Sequence, residues 1–191
     1  MVTHSRPGGV RLAAAALLGA LSLGGCSSLF GPSEEEQAAA LAAPARCPRV
    51  AVLRDASEAT QFRQGGGRDL TDVVSRAAVL DFRGGCRPGE GQVEVDFQLV
   101  LAAERGPAFD GRDAGYQYFV AVTDPDGQVL AKQIFDATLR FDEGQPRVGS
   151  VEDLHQRIPV AQGRRPQDYQ VLVGFQLTPE QLEFNRSERA F

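Results

Sequence analysis

Tryptophan is missing from this chain of 191 residues, and histidine (two) and cysteine (three) are scarce. No CxxC pair occurs, which argues against metal binding by the cysteines and, more strongly, against a redox-active pair. Basic excess is missing too. Lys and Arg total 20 against 25 Asp and Glu, a net charge of −5, so the electrostatic footprint of a nucleic-acid binder is absent. Lys132 is the sole lysine; the arginine bias is no signal of phosphate recognition. Long apolar runs are confined to the N-terminus, which excludes a polytopic membrane protein. With 42% hydrophobic and 24% charged residues, the composition suits one globular domain and excludes disorder throughout.

The N-terminus is read as an export signal. Arg6 and Arg11 form a positive segment free of acidic residues, and Leu12 to Leu23 form an Ala/Leu-rich apolar stretch too short for a stable span. It ends in Leu23-Gly24-Gly25-Cys26. This resembles the lipobox of bacterial lipoproteins: an aliphatic residue, two small residues and an obligatory cysteine. The resemblance covers the signal only. It implies cleavage before Cys26, acylation of Cys26 by diacylglycerol and a further fatty chain such as palmitate, and, with Ser27 following, sorting to the outer membrane on its periplasmic side. Each buried methylene contributes about 0.8 kcal/mol, so several chains make the anchoring essentially permanent. The domain expectation is signal 1–25, lipidated cysteine and tether 26–46, and folded body 47–191.

If Cys26 is lipidated, Cys47 and Cys86 remain as an even pair in an oxidising compartment, the natural disulfide. Closing their loop of 39 positions would stabilise by about 4 kcal/mol in the chain-entropy picture. In the tether, Ser33-Glu34-Glu35-Glu36 has capping-box spacing before Ala38 to Ala43 and Pro44, consistent with a short helix. As a coil the tether would reach roughly 25 Å.

From Cys47 onward the hydrophobic period is mostly two. Expected strands are 49–53, 73–83, 93–101, 116–123, 129–141, 154–160 and 169–177. The clearest puts Val93, Val95, Phe97, Leu99 and Leu101 on one face, with Glu94, Asp96 and Gln98 opposite. Asp124-Pro125-Asp126-Gly127 fits a tight turn joining two strands into a hairpin. Residues 54–72 and 142–153 read as polar loops, and 84–91 as a turn-rich break. Thr178-Pro179-Glu180-Gln181 carries an N-cap, a proline at the first helical position and a capping box, so a short C-terminal helix to about Asn185 is expected. About seven one-sided strands imply two packed antiparallel sheets: an immunoglobulin-like β-sandwich without the antibody Trp hallmark, with a small barrel as competitor.

Chemistry-bearing constellations are weak. His155 lies two positions from Asp153, on one strand face, and Ser150 is near. No Gly-x-Ser-x-Gly element accompanies them, and a surface histidine is the preferred reading. Gly65-Gly66-Gly67 lacks the frame and lysine of a phosphate loop. Asp110-Gly111-Arg112-Asp113 lacks the third ligand and distal Glu of a calcium loop. No catalytic residue, metal or cofactor is therefore expected.

The candidate binding surface is Arg105 and Phe109 leading into Tyr116, Tyr118 and Phe119, since tyrosine suits peptide or glycan contact. Packing of these alternating residues in the core is the favoured alternative. The functional expectation is a non-enzymatic, lipid-anchored envelope protein that binds or supports another envelope protein. A periplasmic ligand-binding module for a small molecule, glycan or lipid is the alternative.

Overall fold

A computed structural model describes residues 47–188. The signal and tether readings, Cys26 included, lie outside the described residues. The elements run β1 (Arg49–Val52), β2 (Glu58–Phe62), β3 (Val73–Gly89), β4 (Gln92–Arg105), β5 (Asp113–Thr123), β6 (Val129–Arg140), β7 (Arg147–Pro159), β8 (Gln170–Phe175) and a helix, α1 (Pro179–Glu188). They form a two-sheet β-sandwich with a short C-terminal helix. One sheet has the order β1-β8-β5-β6 and the other β2-β3-β4-β7. Neighbouring strands pair antiparallel except β1 with β8, which run parallel.

Alternation explains the core. The even–odd pattern of β4 sends Val93, Val95, Phe97, Leu99, Leu101 and Ala103 inward, all buried. Opposite them lie Tyr116, Tyr118, Val120 and Val122 of β5 with Val171, Val173 and Phe175 of β8. A smaller cluster of Ala56, Phe119 and Ala121 covers part of the outer face of the β5 sheet. The β5–β6 hairpin turns at Asp124, whose carboxylate accepts from Asp126 N and Gln128 N while Gly127 holds φ +82°.

The strands depart from the sequence expectation in three places. Glu58–Phe62, expected as loop, is an edge strand. The segment from 84 to 89, expected as a turn, continues β3. A Cβ on Gly84 would collide with Asp96 O and Phe97 Cα, so the glycine there permits close strand approach rather than a bend. The stretch from 147 to 153, also expected as loop, is the first half of β7, paired with β4.

Cys47 and Cys86 are joined, with Cα atoms 5.7 Å apart. Because Cys47 precedes β1 and Cys86 lies inside β3, the bond ties one sheet to the other. Helix α1 begins as the capping box requires: Gln181 N donates to Thr178 Oγ1 at 3.2 Å and Thr178 N to Gln181 Oε1 at 3.0 Å. It runs to Glu188, three residues past the expected end. The helix then closes the free edge of β2. Gln181 Nε2 donates to Thr60 O at 3.0 Å, and Asn185 Nδ2 to Glu58 O at 2.8 Å and Asp55 O at 2.9 Å. Phe62 and Phe184 add an edge-on ring contact at 5.0 Å.

Candidate functional site

Strand alternation splits the five residues singled out from the sequence. Tyr116 and Tyr118 are core residues, 5% and 2% exposed. The Tyr116 hydroxyl donates to Ser75 Oγ at 2.6 Å, and Ser75 in turn to Gln61 Oε1 at 3.2 Å, a chain of polar groups linking the sheets. Tyr118 stacks on Phe135 at 5.2 Å. Burial pushes both phenols up to about 12; for Tyr116 the Ser75 hydrogen bond opposes the shift, and for Tyr118 the Glu152 charge adds to it. Phe119 points the other way, under the Lys132 ammonium at 4.5 Å.

Arg105 and Phe109 do come together, at another place. The Arg105 guanidinium lies 5.0 Å from the ring centres of both Phe109 and Phe141. It donates to Phe141 O at 3.4 Å and Asp142 O at 3.2 Å, while its Nε is buried without a hydrogen-bond partner among the described residues. This is an internal clamp on the chain leaving β6. The five residues therefore form no common surface. The signal for this was already in the alternation of β5, which sends neighbouring aromatics to opposite faces.

The densest polar arrangement is on the outer face of the other sheet, where β3, β4 and β7 run side by side. Asp96 of β4 stands opposite His155 of β7. His155 Nδ1 meets Asp96 Oδ1 at 2.6 Å, and Arg87 reaches the other carboxylate oxygen at 2.7 Å. The hydrogen bond from His155 holds the Asp96 carboxyl below the ordinary range; burial opposes it, and the Arg87 charge adds to the lowering. Glu94 bridges Arg87 at 3.4 Å and Arg157 at 3.2 Å. Asp153, two positions from His155 on the same face, accepts instead from Gln98 Nε2 at 2.9 Å. Ser150 donates to Glu152 Oε1 and sits on the opposite strand face from His155 by alternation.

This arrangement can orient an imidazole and offer paired charges to a polar partner. An open depression of about 510 Å³, lined among others by Arg83, Gly84, Asp96, Gln98 and His155, lies over it. Gly84 lies in its lining and supplies no side chain there. No hydroxyl or thiol is paired with the imidazole in the hydrogen bonds of the described residues, so the nucleophile of a hydrolytic triad has no counterpart there.

The other weak motifs have structural uses. Asp72 fills the glycine loop, accepting from Gly67 N at 2.7 Å and pairing with Arg63 at 3.2 Å. Asp113 of the calcium-like loop is bonded to Arg140 at 2.8 Å. Among the described residues no group of three His, Cys, Asp or Glu side chains could hold a metal ion. No helix among them is long and apolar enough to cross a membrane. No family model matches the chain, and no curated protein matches it.

Proposed function

We propose that this protein is a lipid-anchored component of the cell envelope, without enzymatic activity, whose sandwich binds or supports another envelope protein. The observation that carries the proposal is the Cys47–Cys86 disulfide. A cross-sheet disulfide belongs to an oxidising compartment, and the pairing leaves Cys26 as the one cysteine available for the lipobox-like Leu23-Gly24-Gly25-Cys26. Export and acylation then share one explanation with the crosslink. Sorting to the outer membrane, facing the periplasm, follows from Ser27 in the same resemblance.

A binding rather than a catalytic role is favoured by the polar face around Asp96 and His155, where carboxylates, guanidinia and an imidazole are mutually paired at the surface. Such groups give orientation and specificity to a protein contact more than raw affinity. The alternative, a module for a small molecule, glycan or lipid, asks for an apolar cavity lined by several aromatics. The depression at His155 is open and has one phenyl ring, Phe97, beside Leu154 in a lining otherwise of polar and charged side chains and glycine; the lack of several aromatics there favours the first reading.

The test is fractionation of cells carrying the native gene, with mass spectrometry of the isolated protein. The wild type is expected in the membrane fraction, beginning at an acylated Cys26. Cys26→Ala is expected to lose the acyl groups and leave that fraction. Cross-linked envelopes should then yield a reproducible partner whose recovery falls in an Asp96→Ala/His155→Ala variant. An unmodified chain in the cytosol would overturn the anchoring, and recovery of no partner above background would overturn the binding role.

A further inference from the structure

The edge of β6 is built differently from the edge of β2. Val129 to Ile134 is exposed on both faces, and Val129, Leu130 and Ile134 are 57%, 50% and 49% exposed. The direction of the backbone groups is fixed by the pairing with β5. Phe141 N donates to Arg112 O, so odd-numbered residues along β6 turn toward β5. The N–H and C=O groups of Lys132, Ile134, Asp136 and Thr138 therefore turn outward, to the edge that no strand among the described residues covers. An open edge of this length with exposed aliphatic side chains is a template for another strand.

We propose that the strand it takes is β6 of a second copy of this chain, added antiparallel about a two-fold axis through Ile134. The argument is charge complementarity. In that register Lys132 of each copy stands opposite Asp136 of the other, and the two Ile134 side chains face each other. Each isoleucine already neighbours Phe119 across β5, so the four side chains make one continuous apolar row on the outer face. An axis through Lys132 would oppose two lysines. An axis through Asp136 would oppose two aspartates and set Lys132 against Arg140. Axes one residue to either side of Ile134 put Lys132 against Ile134 or Thr138, with no ion pair. Lys132 donates to Gln176 at 2.8 Å and Asp136 accepts from Gln117 at 2.9 Å. An ammonium with three donors and a carboxylate with two oxygens can each add one bond across the axis. The contact is isologous and closes at two copies.

Sedimentation equilibrium of the full chain in density-matched detergent tests this with charge exchange. The wild type is expected to dimerise reversibly. Lys132→Glu and Asp136→Lys each place two like-charge pairs across the axis and are expected to weaken the dimer by about tenfold or more. Mixed in equal amounts, the two variants are expected to form a heterodimer of near wild-type strength, because both cross-axis pairs are then opposite in charge. Both positions are exposed, and unchanged thermal melts of the variants confirm the fold. A wild type that stays monomeric at every concentration overturns the proposal, including where β6 instead takes a different envelope polypeptide. A dimer indifferent to both variants, or no recovery in the mixture, overturns it as well.

Discussion

The two flanks of the sandwich are finished in opposite ways. On one flank β1 is short and held by the disulfide at its start, and β2 has its outward carbonyls taken by Gln181 and Asn185. On the other, β6 and β7 are 12 and 13 residues long and end their sheets. A free edge invites unwanted pairing, and proteins commonly shorten, cover or charge it. Here the chain spends its C-terminal helix and its one crosslink among the described residues on a single flank. The lesson is that the closed flank carries stability and the open flank carries the capacity to associate.

That contrast can be broken most forcefully at the disulfide. Cys47→Ser/Cys86→Ser is expected to lower stability by about 4 kcal/mol, read by urea unfolding, with no change in the association of β6 if the fold survives. Asn185→Ala comes next. It removes a buried amide that serves two carbonyls, so a loss of about 2 kcal/mol is expected, together with faster hydrogen exchange along β2. Tyr116→Phe lies between the flanks and leaves Ser75 without its buried donor. About 1 kcal/mol is expected at neutral pH.

That same phenol has a pH signature. Its ionisation is pushed up to about 12 by burial, so the folded state favours the protonated form. The stability this gives is present below an ordinary tyrosine value of about 10 and falls as pH rises towards 12. Tyr116→Phe should therefore narrow its deficit in alkaline melts. At Ile134 on the open flank, Ile134→Thr should move the melting midpoint of the monomer little, within about 0.5 kcal/mol, while weakening self-association. The smallest effect is expected in acid. His155 lowers the Asp96 carboxyl, as Arg140 does Asp113. Both contribute stability above an ordinary carboxylate value of about 4 and lose it as pH falls through their lowered values. Asp96→Asn should flatten part of that acid limb.

The readable parts of the fold were those whose signal is local. The alternation of β4, the Asp124–Gly127 turn and the Thr178–Gln181 box all state their structure within a few residues. The unread parts depend on distant partners. β2 has the sequence Glu58-Ala59-Thr60-Gln61-Phe62, polar enough to pass for loop; it is a strand because β3 pairs on one side and α1, 121 positions away at Gln181, seals the other. Gly84 and Gly85 suggest a turn, but β4 continues its ladder past them. The partner of His155 is likewise set by the ladder and not by sequence proximity. Asp153 is near in sequence, whereas Asp96, 59 positions away, is the residue across the ladder. The aromatic candidates divide at β5 because adjacent side chains on a strand must face opposite ways.

Intact-mass and N-terminal analysis of the native protein tests the envelope account most directly. The expected result is a chain beginning at Cys26, carrying fatty acyl groups and presenting no free thiol, recovered from the membrane. A chain beginning at Met1, unmodified, with Cys47 and Cys86 both free and recovered from the cytosol, would contradict it.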